Sequence, residues 1–168
     1  MKTPYEIQYE TFAVAGGLYN EGHARLYAKF ADDLIADGSY SIVYEGVAHA
    51  CYTLITIDAA PHLKCYVVAP LAVLPEYQRQ GYATRLMKKA EQELKPDVVF
   101  IMGEVHHYAR RYNTPHKVGL PVETLAPLEN WFALELTKGA LDAVGESTSS
   151  MTGPYTAPHI WAHPSEQA

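Results

Sequence analysis

The chain has 168 residues, 48% hydrophobic and 19% charged, so it can bury a core and is not intrinsically disordered. This length predicts one domain, with room for a small appendage. Thirteen basic and nineteen acidic side chains give a net charge of −6. That balance argues against nucleic-acid binding, which needs a basic face, and leaves room for an amine substrate.

The N-terminal part of the chain predicts a strand, a helix and a hairpin. Residues 5–12 alternate between apolar and polar side chains, as a half-buried strand does. Asn20 is a suitable N-cap, apolar side chains then recur at helical spacing, and Gly38 is placed to end that helix. Two further strands, 39–44 and 47–57, flank a Glu-Gly pair that is typical of a hairpin turn.

The middle of the chain predicts a strand–helix–strand unit with a right-handed crossover. Residues 65–73 are almost wholly apolar, which is typical of a central strand. Pro70 cannot donate a ladder hydrogen bond, so we expect a bulge or a parting of strands there. A helix from 82 to about 94 carries one apolar stripe and is stopped by Pro96, and residues 98–102 form a second buried strand.

Beyond residue 102 the patterns are weaker. Residues 108–112 predict a short helix, residues 113–128 a proline-containing loop, and residues 131–136 another strand. The last thirty residues are rich in Ser, Thr, Pro and Gly and predict a mostly irregular tail. We expect its large apolar side chains, Tyr155 and Trp161 among them, to pack against the rest of the protein.

The turn between the central strand and the following helix carries the clearest functional signal. A helix N-terminus presents unpaired N–H groups and a positive dipole end, which suits a pyrophosphate. Gly81 lets the backbone approach such a ligand, and the small Ala83 avoids crowding it. Gln78, Arg79 and Gln80 can add donors at the rim.

This turn, Gln-x-x-Gly-x-Ala at residues 78–83, resembles the acetyl-CoA pyrophosphate loop of the GNAT superfamily of N-acetyltransferases. The resemblance covers residues 5–136 and is strongest to a bacterial branch of predicted small-molecule N-acetyltransferases. In that branch the sequence Pro-Leu-Ala-Val-Leu-Pro-Glu-Tyr-Gln-Arg-Gln-Gly, found here at 70–81, is characteristic. Further segments that match the branch are Gly103-Glu104, Tyr108-Ala109-Arg110 and Ala133-Leu134-Glu135-Leu136.

The resemblance implies an α/β fold of GNAT type. Its central sheet is mixed and mainly antiparallel, with helices on both faces and a strand splay at the cofactor slot. Residues 1–136 would form the acetyltransferase domain, and residues 137–168 a C-terminal extension that packs on this domain or continues it. Strand 65–73 would part from strand 98–102 near Pro70, and pantetheine would lie in the gap.

The resemblance also implies acetyl-CoA as the cofactor, with CoA as the product. The residues that would bind it are Leu71, Ala72, Val73, Gln78, Arg79, Gln80, Gly81, Tyr82, Ala83 and Thr84. Backbone N–H groups around Leu71 and Val73 would hold pantetheine and polarise the thioester carbonyl. Tyr108 aligns with the family's usual proton donor to the departing sulfur, and a phenol, with a pKa of about 10, is a feasible donor to a thiolate of comparable basicity.

The group that accepts the amine proton is open among Glu104, His106 and His107. These residues, with His116 nine residues further on, also raise the question of a metal site, but their spacing matches no established ligand pattern, so we expect no metal. The Gly-Phe pair that usually follows the tyrosine-bearing helix is absent, and Arg-Tyr-Asn stands at 111–113 instead. The turn into the next strand is therefore expected to differ, which bears on how Tyr108 is held.

These features favour an acetyl-CoA-dependent N-acetyltransferase that acts on a small amine by direct transfer in a ternary complex. A catalytically silent acyl-CoA-binding or protein-interaction module is the alternative, and a protein N-terminus or lysine is another acceptor. Cys51 and Cys65 are too few for a disulfide framework and are predicted as core residues. Without a secretion signal or a long apolar run, we expect a cytoplasmic protein with no membrane partner. We also expect a monomer or homodimer, and the net charge predicts no nucleic-acid partner.

Overall fold

The computed structural model describes residues 1–124 and 126–167, which form two compact units. The first unit contains Met1–Tyr52, Ala69–Lys95 and residues 164–167. The second unit contains Thr53–Val68 and Pro96–His163. No helix in the described part of the chain is long and apolar enough to cross a membrane.

The first unit begins with a helix, α1 (Pro4–Ala13), so the strand predicted over residues 5–12 is wrong. Thr3 is the N-cap: its Oγ1 accepts the N–H of Glu6 at 3.2 Å, and the Glu6 carboxylate accepts the N–H of Thr3 at 2.7 Å. Pro4 occupies the first helical position. This capping box, together with the proline, starts a helix despite the alternating pattern, because it satisfies the N–H groups that a helix end leaves unpaired.

The second helix, α2 (Glu21–Ala36), confirms the prediction from sequence. The Asn20 side chain accepts the N–H of His23 at 3.1 Å, and the His23 ring in turn accepts the N–H of Asn20 at 3.2 Å. Gly38 follows the C-cap with a φ of 91°, a left-handed conformation that glycine adopts without strain. Both predicted ends of this helix are therefore correct.

The predicted hairpin is also confirmed. Strands β1 (Tyr40–Tyr44) and β2 (Ala48–Ile57) pair antiparallel. Glu45 and Gly46 turn the chain between them with φ values of 50° and 72°. Two successive positive φ angles are those of a type I′ turn, whose twist matches that of the strands.

The main sheet also contains β3 (Cys65–Val73), β4 (Val98–Met102), β6 (Trp131–Glu135) and β8 (Ser149–Ser150). Its strand order is β1-β2-β3-β4-β6, with β8 paired to β2, and it is mostly antiparallel as predicted. β3 and β4 pair in parallel, from Cys65 with Val98 to Val67 with Phe100. The register thus ends before Pro70, whose peptide bond with Ala69 is cis, in agreement with the parting predicted there.

Two helices flank β4 in the sequence. The bounds of α3 (Tyr82–Leu94) confirm the prediction, and Leu86, Met87 and Ala90 form its buried stripe. The short helix α4 (Val105–Tyr108) lies earlier than the predicted helix 108–112. The Glu104 carbonyl accepts the N–H groups of residues 107 and 108 at 3.0 and 3.2 Å, so the helical turn is already closed at Tyr108.

The tail of the second unit is more ordered than predicted. β5 (Lys117–Val118) pairs in parallel with β7 (Glu146–Ser147), and β8 follows directly. Strands of two residues show no alternation, so the sequence could not reveal them. Tyr155 and Trp161 are buried, as predicted, with 1% and 3% of their surface exposed. The domain division at residue 136 stays a prediction.

Polar and titratable groups are buried inside both units. In the first, the Gln8 amide lies 2.9 Å from His49 Nδ1, and Ser41 Oγ lies 2.9 Å from Nε2 of the same ring. Burial lowers the pKa of His49 to about 4, so the ring is neutral at pH 7. Burial also raises the pKa of the Cys51 and Cys65 thiols to about 12, which agrees with their predicted place in the core.

Candidate active site

Helix α1 packs against the C-terminal end of β3. Ile7 of α1 packs in one buried cluster with Ala72 and Leu74. The Leu74 N–H also donates to the Val47 carbonyl at 2.9 Å. Since these residues precede the turn that the sequence singled out, the turn begins from a fixed point in the first unit.

Two glutamine side chains brace this turn. After a 3₁₀ turn at Pro75–Tyr77, the Gln78 side chain donates to the Val73 carbonyl at 2.9 Å, and Gln80 donates to the Glu76 carbonyl at 2.8 Å. Both amides thus use one N–H to hold the loop backbone, where sequence reasoning expected donors aimed at a ligand. The glutamines keep the shape of the loop.

The backbone of the turn ends in an open helix N-terminus. Arg79 and Gly81 have φ values of 58° and 82°, and Gly81 is the N-cap of α3. No side chain in the described part of the chain caps this end, and the first turn holds no acidic residue. The N–H groups of residues 82–84 therefore lack intrahelical acceptors at an exposed surface, an arrangement that suits an anion such as a pyrophosphate.

Arg85, an exposed residue of α3 that the sequence analysis did not single out, also takes part in this turn. Its Nη1 donates to the Gln80 carbonyl at 3.0 Å, and its guanidinium lies 4.4 Å from the centre of the Tyr82 ring. The rings of Tyr77 and Tyr44 pack against the Tyr82 ring in T-shaped arrangements, with centroids at 5.5 and 6.3 Å. The sequence does carry one signal for this contact. Arg85 follows Gly81 by four residues, and residues four apart in a helix lie on the same face, so its side chain lies near the N-cap.

In the second unit, the candidate proton acceptors follow the end of β4. Glu104 is exposed and precedes α4, and its carboxylate lies 3.3 Å from His106 Nδ1. The rings of His106 and His107 lie side by side with centroids 4.0 Å apart, and both are exposed. The carboxylate and the neighbouring imidazole can take up a proton singly or pass it between them.

Tyr108, the predicted proton donor, is half-buried at the last position of α4. Its ring lies on Gly103 and meets the Tyr112 ring edge-on, with centroids 6.3 Å apart at 84°. Tyr112 is buried, and its hydroxyl accepts a hydrogen bond from Arg111 at 3.2 Å. Tyr112, in the Arg-Tyr-Asn segment that stands where the family has its Gly-Phe pair, is thus an aromatic neighbour of Tyr108.

His116, which the sequence brought into the metal question, is held as a neutral ring. Its Nε2 donates to the Trp131 carbonyl at 3.1 Å, and its Nδ1 accepts the N–H of Val118 at 3.2 Å. Burial lowers its pKa, which keeps this tautomer neutral. Within the described ranges, no three or more His, Cys, Asp or Glu side chains group as a metal would require.

The predicted site residues therefore form two groups. The ten cofactor-binding candidates, Leu71 to Thr84, lie along one continuous segment of the first unit. Glu104 and Tyr108 lie in the second unit. The first group offers backbone donors for an anion, and the second offers side chains that exchange protons.

Comparison with known proteins gives one family. A model of the acetyltransferase (GNAT) family matches residues 3–112. The chain is also 30% identical over 137 residues to the uncharacterized N-acetyltransferase YjhQ of Escherichia coli strain K12, with 73% of this chain and 75% of that protein covered.

Two solved structures share the fold. The GNAT family N-acetyltransferase YhbS of Escherichia coli, in complex with CoA, matches with a TM-score of 0.67 and 16% identity over 90% of this chain and 86% of that chain. A GNAT family acetyltransferase of Brucella melitensis, in complex with acetyl-CoA, matches with a TM-score of 0.59 and 15% identity over 88% and 86%.

Proposed function

The chain belongs to the GNAT family of acetyltransferases, and from this premise we propose that it transfers the acetyl group of acetyl-CoA directly to a small amine in a ternary complex. The observation that carries the proposal is the exposed, uncapped N-terminus of α3 behind the braced turn 78–81. Two structural neighbours contain CoA or acetyl-CoA, which supports this choice of cofactor.

The residues around the turn fit the cofactor. Backbone N–H groups of residues 79–84 bind the pyrophosphate, because they lie at an exposed helix end without an acidic neighbour in its first turn. Gly81 permits close approach of the phosphates, since a side chain there would stand over the helix end. Backbone groups around Leu71 and Val73 hold pantetheine and polarise the thioester carbonyl.

When bound, acetyl-CoA supplies the acetyl group as a thioester, so that a C–N bond forms while the C–S bond breaks. Tyr108 donates its phenolic proton to the departing sulfur. Glu104 accepts the proton that the amine loses, directly or through water, and His106, 3.3 Å from its carboxylate, is placed to share it. Two different protons move: Glu104 keeps the one from the amine, and the sulfur keeps the one from Tyr108. Before the next turnover, Glu104 releases its proton to solvent and the Tyr108 phenolate takes one up, so that atoms and charges balance.

The test is release of free CoA thiol from acetyl-CoA across a panel of small amines, with acetyl-CoA binding followed by calorimetry on the same protein. We expect binding and acceptor-dependent thiol release. Binding without thiol release for any amine, lysine peptide or protein N-terminus would instead indicate a silent acyl-CoA-binding module. Absence of both would refute the proposed function.

A thermal-shift control separates this cofactor from a dinucleotide. A ligand that binds only the native state at a hundredfold excess over its Kd adds about 2.7 kcal/mol to the free energy of unfolding. Acetyl-CoA should therefore raise the melting temperature more than NAD or ATP does. An equal shift with NAD would point to a dinucleotide at the turn. A cytoplasmic location and a monomeric or homodimeric state stay predictions.

A further inference from the structure

We propose that Gly103 is a positioning residue for the reaction. Its missing side chain provides the space in which the Tyr108 ring lies, and so sets where the phenolic hydroxyl points. The inference rests on the proposed role of Tyr108 as proton donor. Gly103 itself is not proposed to touch the substrate or a reacting atom.

The contact between the two residues leaves no room for a side chain. A methyl group added to Gly103 would lie 2.3 Å from Cε2 and 2.6 Å from Cδ2 of Tyr108. Both distances are well below the 3.5–4.0 Å at which two carbon atoms attract each other. Gly103 is not one of the glycines with a positive φ, so its backbone conformation does not require glycine. Glycine is required at this position because the Tyr108 ring occupies the space that a side chain would need.

The backbone on both sides of the contact is fixed. The Gly103 N–H donates to the Asn130 carbonyl at 3.0 Å, directly before β6. The Tyr108 N–H donates to the Glu104 carbonyl at 3.2 Å, and the Tyr108 carbonyl accepts the N–H of Tyr112 at 2.9 Å. A methyl group at Gly103 would therefore be relieved by rotation of the Tyr108 side chain more readily than by movement of either backbone.

Rotation of the ring has its largest effect on the hydroxyl, which is the atom farthest from the backbone. The Tyr108 ring is half-buried and meets the buried Tyr112 on another side, so the ring can turn only away from these contacts. A misplacement of about 1 Å at a reacting group costs on the order of 10²-fold in rate. Glycine at 103 thus contributes to turnover through the position of one oxygen atom.

The first experiment is Gly103→Ala in the full-length protein. We expect kcat for thiol release to fall on the order of 10- to 100-fold, with the acetyl-CoA Kd changed less than threefold. Gly119→Ala is the matched control, because its added methyl group would meet only the Ser147 carbonyl at an ordinary 3.6 Å. This control should keep wild-type kcat. Wild-type kcat in Gly103→Ala would overturn the inference.

The second experiment repeats the substitution in a Tyr108→Phe background. The phenylalanine ring retains the steric conflict with a methyl group at 103 but has no hydroxyl to misplace. We therefore expect Gly103→Ala to lower the melting temperature in both backgrounds and to lower kcat only where the hydroxyl is present. An equal loss of kcat in both backgrounds would overturn the inference and leave the role of Tyr108 intact. Full turnover in Tyr108→Phe alone would overturn both.

A third variant covers the case in which Gly103→Ala fails to fold. The double variant Gly103→Ala with Tyr108→Ala lacks the ring that occupies the space. It should fold and melt at the temperature of Tyr108→Ala alone. Failure to fold, or a melting temperature well below that of Tyr108→Ala, would show that the methyl group meets something other than the Tyr108 ring, and would overturn the inference.

Discussion

The turn 78–84 and the short helix α4 carry the two parts of the proposed reaction and are built in different ways. The turn offers backbone N–H groups, whose directions follow from the end of a thirteen-residue helix and from two glutamine braces. α4 has four residues and offers side chains, with Tyr108 supported by its contacts with Gly103 and Tyr112.

The two regions therefore tolerate different substitutions. Backbone donors stay in place when surface side chains change, so binding at the turn should depend on the conformation at Gly81 and on its lack of bulk. A side-chain donor depends on a single atom and on the packing of its ring. We therefore expect substitutions at the turn to change affinity, and substitutions at Tyr108 to change the rate of the chemical step.

Gly81→Asp should have the largest effect. It adds a side chain at a φ of 82°, and a negative charge where phosphate oxygens bind. We expect the acetyl-CoA affinity to fall by at least about 100-fold, or roughly 2.7 kcal/mol, in calorimetry. Gly38→Asp is the matched control, since Gly38 also has a left-handed φ, 91°, and open space around it. Unchanged affinity in a folded Gly81→Asp protein would refute the binding role of the turn.

Tyr108→Phe should have the next largest effect, and this effect should be on kcat, not on the acetyl-CoA affinity. It removes one oxygen and keeps the ring on Gly103, so the acetyl-CoA Kd should stay within a few-fold. Loss of a general acid should lower kcat on the order of 10²-fold, measured by thiol release with the best acceptor of the panel. Full turnover would mean that water or another group protonates the sulfur.

A further prediction concerns His49, which is buried in the first unit and belongs to neither the turn 78–84 nor α4. The pKa of buried His49 is about 4, below its ordinary 6.5, so the unfolded chain takes up the proton first as the pH falls. The His49 contribution to the free energy of unfolding is complete above pH 6.5 and is lost between 6.5 and 4, at up to about 1.4 kcal/mol per pH unit.

His49→Gln should make the free energy of unfolding, measured by urea denaturation, less dependent on pH in this range. The dependence should decrease and not vanish, because burial also lowers the pKa of His116 in the second unit. The exposed His62→Gln is the control and should keep the wild-type slope. An unchanged slope in His49→Gln would show that the ring is accessible to protons in the folded protein.

Gln78→Ala should have the smallest effect. It removes the 2.9 Å hydrogen bond to the Val73 carbonyl while leaving Gly81 and the helix end intact. A hydrogen bond contributes about 1 kcal/mol, so we expect the acetyl-CoA affinity to fall about fivefold in calorimetry. Gln92→Ala, on the exposed face of α3, should leave the affinity unchanged. A loss as large as that of Gly81→Asp would mean that Gln78 binds the ligand itself.

The sequence predicted most of the fold because most elements carry strong local signals. The caps at Asn20 and Gly38, the Glu-Gly hairpin and the stripe of α3 each specify a structure within a few residues. The alternating residues of the first helix predict a strand, but the Thr-x-x-Glu capping box at Thr3 satisfies the N–H groups of a helix end, and a helix forms. Short strands such as β7 depend on pairing with distant residues, which no local pattern encodes.

The candidate site could also be predicted only in part: the turn around Gly81 was predicted, and the surroundings of Tyr108 were not. The turn around Gly81 follows from a strand, a glycine and a helix in succession, so its backbone could be anticipated. The helix bearing Tyr108 was placed too late in the chain, and the contact of its ring with Gly103 depends on tertiary packing. Arg85 was missed for a related reason, since only the folded turn brings the Gln80 carbonyl within its reach.

The most direct test is single-turnover thiol release measured against acetyl-CoA concentration for wild type, Gly81→Asp and Tyr108→Phe, with the best acceptor held constant. Half-saturation reports cofactor binding, and the plateau reports the chemical step. We predict a raised half-saturation concentration in Gly81→Asp, and an unchanged half-saturation concentration with a plateau on the order of 10²-fold lower in Tyr108→Phe. A change in the same parameter for both variants would contradict the division of binding and chemistry between the turn and Tyr108.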